Sequence, residues 1–313
     1  MIVTYGEALV DLIEQDDGMF APVLGGSVAN FTLACARQGL PAMYLNPVSL
    51  DSFGQRFARH LGQAGIILAA PRLSALPTSL AVVTLDANKV PSYAFHRAAV
   101  ADRDVTPAAA IATLPPAFTL FHTGGLALVP ADIDATLAVA AAAQQRGALV
   151  SIDANLRPFA VADLPAYAAG VRRALALAHL VKVSVEDLLY MDFDTRDPVA
   201  AARQLFDGTA TQLVALTLGE EGGVLLSRAA TAALPVPPGV VVVDTVGAGD
   251  CFQAGLVASL QDAGPLAELD APVLARALRY AIATASLNVM RAGCNPPLRA
   301  EVERFLTEQG ESL

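Results

Sequence analysis

Residues 240–255 read VVVVDTVGAGDCFQAG. The four valines predict the end of a buried strand. Gly247-Ala248-Gly249 then permits a tight turn, because small residues tolerate strained dihedrals and the close approach of other groups. From Asp250 onward, DCFQAGLVASL carries apolar residues at helical spacing. A glycine turn that feeds a helix leaves backbone N–H groups without intrahelical acceptors, with the positive end of the helix dipole behind them. That is an anion-binding device. Asp250 is the residue out of place in it. A carboxylate beside an anion site would repel a resting phosphate, but it fits if it takes a proton from a hydroxyl as that hydroxyl attacks phosphorus. The competing reading is an acid that only caps the first turn of the helix. The turn is not a Walker A loop, and no G-x-G-x-x-G follows a strand in the dinucleotide-binding pattern.

Upstream of this turn, short apolar runs alternate with longer alanine-rich segments. Ile2–Thr4, Met43–Val48, Phe118–Phe121, Ala148–Ile152, Leu180–Val183 and Gln212–Leu216 predict buried strands. Val28–Gln38, Ser52–Ala64, Ile133–Arg146, Pro165–Ala178 and Val199–Phe206 predict helices. Such alternation predicts an α/β fold with a mostly parallel sheet covered on both faces. Two segments break it. Ile13–Leu24 is short and turn-like, and Ser79–His96 has two extended runs flanking Asp86-Ala87-Asn88-Lys89, the pattern of an antiparallel hairpin. Together, as segments of about 12–24 and 79–102 inserted into a single domain of residues 1–313, they fit either a small β-sheet lid or surface decoration. Ala229–Val243, with Pro235, Pro237 and Pro238, predicts edge strands and turns.

Composition narrows the classes. Hydrophobic residues make up 54% and charged residues 16%, which suits a large core and excludes a disordered chain. The formal net charge is −10 and the Lys and Arg residues are scattered, which argues against nucleic-acid binding. Phosphates can still be held by backbone N–H groups and a few local cations. Residues 105–131 lack Asp, Glu, Lys and Arg, but Pro107, Pro115, Pro116, Pro130 and the Gly124-Gly125 pair interrupt any apolar helix of about 20 residues. No membrane span is predicted; the stretch reads as a short helix, a turn and the strand Phe118–His122. Cys35, Cys251 and Cys294 offer neither a disulfide framework nor a CxxC pair, and read as buried thiols of a reducing compartment. The start MIVTYGEALVDLIEQDD has no basic n-region, which predicts a cytoplasmic chain without a signal peptide.

Asp244-Thr245-Val246-Gly247-Ala248-Gly249-Asp250, continuing through Ala254-Gly255, resembles the DTxGAGD signature of the ribokinase-like (PfkB) carbohydrate kinases, and the similarity runs in order over essentially the whole chain. The resemblance implies a ribokinase-like three-layer αβα sandwich with a β-sheet lid. It implies ATP as phosphoryl donor, Mg²⁺ as its counter-ion and a primary hydroxyl of a small sugar as acceptor. Asp250 would be the catalytic base, and Gly247, Ala248 and Gly249 the anion hole. At the sugar end, Gly25-Gly26-Ser27-Val28-Ala29-Asn30 looks like the family's first signature, in which the glycine pair and the Asn contact the sugar. Asp11, in Gly6–Asp11 (GEALVD), matches an Asp that binds sugar hydroxyls. Both residue types suit such contacts, since Asn donates and accepts, and a carboxylate accepts from two adjacent hydroxyls. Phe95-His96-Arg97 with Ala101-Asp102-Arg103 resembles the F-Y-R…A-D segment of fructokinases and 2-keto-3-deoxygluconate kinases, with His96 in place of Tyr. Arg97 would point from the lid towards substrate. Phe118–Leu128, FTLFHTGGLAL, is similar to a fructokinase-type strand and glycine turn.

At the nucleotide end, Asp153-Ala154-Asn155-Leu156-Arg157 resembles the family's D-P-N-x-R motif with Ala154 for Pro, which puts Asn155 and Arg157 near the phosphate path or the substrate. Ser184-Val185-Glu186-Asp187 stands where the family has N-x-x-E, and either Glu186 or Asp187 would organise Mg²⁺, carboxylates being suitable hard ligands. Thr217, Gly219 and Gly222 fit the T-x-G-x-x-G turn that borders ATP, and Ala283–Asn288 would pass the adenine, with Asn288 among the nucleotide contacts. Arg291-Ala292-Gly293 resembles the loop that, with the Asp244 region, holds a monovalent cation, here K⁺. A homodimer through the lid is a further expectation from the family. Fructose is the leading acceptor. 2-Keto-3-deoxygluconate is the alternative, because its carboxylate would want Arg97 or Arg157; nucleosides come third. A catalytically silent sugar-binding protein of the same fold should lack the base or the anion hole, and this chain keeps both motifs.

Overall fold

A computed structural model describes residues 1–15, 17–70, 72–85 and 91–310. In chain order the strands are β1 (Ile2–Thr4), β2 (Leu9–Glu14), β3 (Phe20–Gly25), β4 (Ala42–Tyr44), β5 (Ile67–Leu68), β6 (Ser79–Leu85), β7 (Pro91–His96), β8 (Leu120–Gly124), β9 (Leu149–Asp153), β10 (Leu180–Ser184), β11 (Leu213–Thr217), β12 (Gly223–Ser227) and β13 (Thr231–Leu234). Among the described residues they form a nine-stranded sheet in the order β13-β12-β11-β10-β9-β8-β1-β4-β5 and a four-stranded sheet in the order β3-β2-β6-β7. In the large sheet the β11–β12 and β12–β13 pairings are antiparallel and the remaining pairings are parallel.

Strand side chains alternate between faces, and here both faces are apolar. Val3, Val181, Val183, Val214 and Leu216 join one buried cluster, while Ile2, Leu180, Leu213 and Ala215 join another on the opposite face. The first cluster packs under the helices Ile133–Gln145 and Leu164–Leu175, and the second under Ala248–Ser259 and Ala271–Val289. The result is the expected αβα sandwich. The predicted strands and helices match within a few residues; the segment Val199–Phe206 divides into a helix Pro198–Arg203 and a 3₁₀ turn Gln204–Phe206. The charge-free stretch also resolves as read, into the helix Pro107–Thr113, β8 and a 3₁₀ turn Gly125–Leu128. Among the described residues no helix is long and apolar enough to cross a membrane.

The small sheet contains the expected hairpin, β6 against β7, although its turn at Asp86–Lys89 lies outside the described residues. Ile13–Leu24 is more ordered than its turn-like sequence suggests: β2 and β3 pair antiparallel from Leu9↔Gly25 to Glu14↔Phe20. β2 also pairs in parallel with β6, which joins the two lid segments.

The valines of residues 240–243 are not the buried strand end that their β-branched side chains predict. They lie in an irregular segment after β13, and Val241, Val242 and Val243 are exposed. The run pairs with no strand among the described residues, and three of its four valines lie beneath no layer. Strand propensity is realised only with such packing. The segment is held instead by the Val243 and Asp244 amides, which both donate to the Val289 carbonyl.

Candidate active site

The glycine turn is held by two side chains. Asp244 accepts from the Val246 amide through Oδ1 at 3.0 Å and from the Gly293 amide through Oδ2 at 2.8 Å. The loop Arg291–Gly293 is thus brought to the turn, as the motif implied, while the Asp244 carboxylate is engaged on both oxygens. Asn288 donates from Nδ2 to the Val246 carbonyl at 2.8 Å and accepts the Asn295 amide at 2.9 Å. It is fully buried behind the turn and does not line the nucleotide cavity; this corrects its expected role as a nucleotide contact, because both ends of its amide are taken by backbone. Gly247 has φ +75°, and a Cβ there would meet Cys294 Sγ at 2.3 Å, so glycine is required. The helix starts at Ala248. The Ala248 amide closes the turn onto the Thr245 carbonyl, which leaves the first-turn amides of Gly249 and Asp250 without an intrahelical acceptor.

Asp250 does not cap its own helix. Its Oδ1 accepts from Ser27 Oγ at 2.7 Å and its Oδ2 from Asn30 Nδ2 at 3.0 Å, both from the helix Ser27–Arg37. Burial pushes this carboxyl above the ordinary aspartate value, against the Ser27 and Asn30 hydrogen bonds and the charges of Lys182 and Arg157, which pull it down. Asn155, in the left-handed region at φ +39°, donates from Nδ2 to Ser27 Oγ at 2.8 Å.

Above the base lies a cleft of about 550 Å³. Asp11, Gly26, Ser27 and Asn30 border it on one side, Tyr93 and Phe95 of the lid on another, and Asn155, Arg157, Lys182 and the turn Thr245–Asp250 on the rest. Gly26 sits at φ +97°, where a Cβ would come 2.7 Å from the Glu7 carbonyl oxygen. Gly25 lies behind Asp11; a Cβ there would strike Asp11 Oδ2 at 2.3 Å. Burial raises the Asp11 carboxyl to about 6, and the Arg157 guanidinium offsets part of that rise.

Arg97 is elsewhere. It pairs with Asp102 at 3.0 Å and Asp132 at 3.5 Å, donates to the Leu126 carbonyl at 3.2 Å, and lines a separate cavity with Tyr5 and Asn46. The expectation that it reaches substrate is corrected: the buried carboxylate of Asp102 and the half-buried one of Asp132 hold its guanidinium away from the cleft.

A second cavity, of about 920 Å³, borders the first. Thr217, Gly219 and Gly222 line it, together with Val240, Val242 and Ser286. Ser184, Glu186, Thr245, Ala248 and Gly249 line both cavities, so the glycine turn stands at their junction. Asp187 is engaged internally: it forms a capping box with Ser184 and accepts the Leu156 amide at 2.8 Å. Glu186 is exposed at the junction and is the carboxylate free to face a ligand. Among the described residues no three His, Cys, Asp or Glu side chains cluster to hold a metal by themselves; a magnesium ion here would need oxygen ligands from a bound nucleotide, with Glu186 the protein group that fits.

Four residues of the site carried no assigned role in the sequence reading. Ser27 was within a quoted motif but carried no assigned role. Glu7 is buried beside the cleft, accepting the Ser27 amide at 3.2 Å. Lys182 and Asp153 form a buried ion pair, Nζ to the two carboxylate oxygens at 2.9 and 3.0 Å. The signal for that pair was a carboxylate ending one apolar strand and an ammonium set within the next.

A family model described as pfkB family carbohydrate kinase matches residues 1–301. The chain belongs to the pfkB family of carbohydrate kinases. A fructokinase of Klebsiella pneumoniae is 34% identical over 310 residues, covering 96% of this chain and 97% of that one. The crystal structure of a fructokinase with bound ATP from Xylella fastidiosa superposes with a TM-score of 0.85 at 29% identity, covering 99% of both chains. A Vibrio cholerae fructokinase double mutant in its fructose, ADP and potassium ion bound form superposes with a TM-score of 0.81 at 25% identity, covering 97% of this chain and 98% of that one. As a pfkB carbohydrate kinase, the chain carries the family's anion turn and carboxylate on the fold expected of them.

Proposed function

We propose that this chain transfers the γ-phosphoryl group of ATP to a primary hydroxyl of fructose, with Asp250 as general base. The observation that carries the reading is the position of Asp250 at the junction: it lines the smaller cleft, while its neighbour Gly249 lines both cavities. A sugar in the smaller cleft and a nucleotide in the larger one would meet at this turn. The acceptor hydroxyl gives its proton to the Asp250 carboxylate as its oxygen bonds to phosphorus, and the unpaired amides at the helix start face the charge on the transferring group. Asp11, Asn30 and Arg157 are positioned to bind the remaining sugar hydroxyls. Magnesium bound with ATP would be held on the Glu186 side and would neutralise phosphate charge. Potassium beside the Asp244–Gly293 clasp is part of the same proposal, supported by the potassium-bound relative.

Fructose is supported by the named activity of the relatives. 2-Keto-3-deoxygluconate remains the second reading, because the cleft holds Arg157 as a partner for a carboxylate. A coupled ADP-release assay over a panel of sugars, with and without potassium, decides between them. Fructose should give the highest kcat/KM; a preference for the acid sugar would overturn the choice. A cytoplasmic setting is supported by the three free cysteines. A homodimer through the lid is supported by the two edge strands of its sheet among the described residues, β3 and β7, and light scattering would test it.

A further inference from the structure

The chain has 20 cationic residues, and only two of them, Lys89 and Lys182, are lysines. Lys182 lies on β10, is 5% exposed, and lines the cleft beside the glycine turn. Its ammonium donates to Asp153 Oδ1 at 2.9 Å and Oδ2 at 3.0 Å. An ammonium has three N–H donors, so this bidentate contact leaves one over. Gly249 stands beside it: a Cβ at that position would lie 3.0 Å from Lys182 Nζ. Gly249 is inside the helix Ala248–Ser259 with an ordinary backbone conformation. Glycine is therefore not needed there for its dihedrals. What it provides is room, and the room lies between an ammonium and one of the unpaired amides of the anion turn. Burial works against the lysine's charge, yet Asp153, Asp187 and Asp250 together hold it above the ordinary lysine value.

We propose that the Lys182 ammonium is a catalytic group: it contacts the transferring phosphoryl beside Gly249 and neutralises charge on its oxygens. The proposal rests on the phosphotransfer reading above. In the step, the acceptor oxygen bonds to the γ-phosphorus, and the bond from that phosphorus to the bridging oxygen breaks with its electron pair leaving on ADP. The acceptor proton passes to the Asp250 carboxylate. Lys182 releases no proton and stays an ammonium, anchored by Asp153. Lysine suits the slot because it is a compact point charge, whereas the planar guanidinium of an arginine needs more width. Gly249→Ala would intrude on the same space.

The bland reading is an internal ion pair in which Lys182 only neutralises Asp153. The double variant Asp153→Asn with Lys182→Met separates the two, because it removes both charges and leaves no buried charge uncompensated. Wild-type turnover with ATP is measured first in the same assay; its failure on every acceptor would remove the phosphotransfer reading and not merely the lysine's role. With the acceptor the wild type uses, the folded double variant should lose at least about 10²-fold in kcat, the scale of one lost transition-state donor, with KM for the sugar within a few-fold. Turnover within threefold of wild type overturns the proposal. A second measurement needs no variant. Lysine labelled with ¹³C at Cε and ¹⁵N at Nζ gives signals from two residues, and Asp153→Asn, which alters the Lys182 environment alone, assigns them. Adding tetrafluoroaluminate to the complex with MgADP and the acceptor should move the Lys182 signals and leave those of Lys89 in place. Lys182 signals unmoved by this phosphoryl mimic would overturn the proposal equally.

Discussion

Ser27 Oγ donates to Asp250 Oδ1 at 2.7 Å, across 223 residues of sequence. The contact ties the first helix behind the lid to the helix that carries the anion turn. Asn155 Nδ2 donates to the same Ser27 oxygen at 2.8 Å, so the hydroxyl's own proton is committed to Asp250. Ser27 is a positioning residue for the base. Ser27→Ala should lower kcat by roughly 10- to 100-fold, on the scale expected when a catalytic group loses its orientation, while KM for ATP stays within a few-fold. Steady-state kinetics on both substrates checks this; unchanged kcat would show that Asn30 alone is enough to orient Asp250.

Arg97 makes a different kind of prediction. Its side chain is buried against Asp102, whose own side chain is 1% exposed. Arg97→Met would leave that carboxylate without its charge partner, a loss of about 3 kcal/mol or more. The melting temperature should fall by several degrees, and the folded fraction should keep a sugar KM within a few-fold of wild type. A normal melting temperature with a large rise in sugar KM would instead restore the substrate-contact role that the F-H-R motif implied.

Glu7 ties pH to stability. Burial pushes its carboxyl up to about 7 from an ordinary value of 4.5, with Arg97 pulling it partly back, and its Oε2 is buried without a hydrogen-bond partner among the described residues. Between those two values the folded protein holds a proton that the unfolded chain has lost. This group's contribution to stability therefore falls as pH rises from about 4.5 to about 7 and is level above that. Glu7→Gln removes the dependence. Its stability relative to wild type should rise from pH 5 to pH 8, by on the order of 2–3 kcal/mol. Asp11 and Asp153 shift in the same direction in both proteins and cancel. Thermal denaturation at the two pH values checks it; a difference independent of pH would contradict the raised Glu7 value.

The sequence disclosed what local spacing controls. The glycine turn, the helix after it and the carboxylate at its start are all set within residues 244–255, and the alternation of apolar runs follows from a parallel sheet buried on both faces. Partners set by topology stayed hidden. Asp153 and Lys182 are 29 positions apart and meet because β9 and β10 are neighbours with Asp153 paired to Lys182 in register. Arg97 could have faced the cleft on motif alone; Asp102, close by in sequence, and Asp132, reached through the fold, decide otherwise. Asp187 read as a magnesium ligand, but a helix N-terminus at Val185 uses it as half of a capping box. The valines at 240–243 carried strand propensity, yet they pair with no strand among the described residues.

The central claim is that Asp250 removes the acceptor proton. It is tested most directly by Asp250→Asn, measured for turnover with ATP and fructose and, separately, for binding of both. The account predicts that both ligands still bind while kcat falls by at least about 10²-fold. Near-normal turnover in that variant would contradict it.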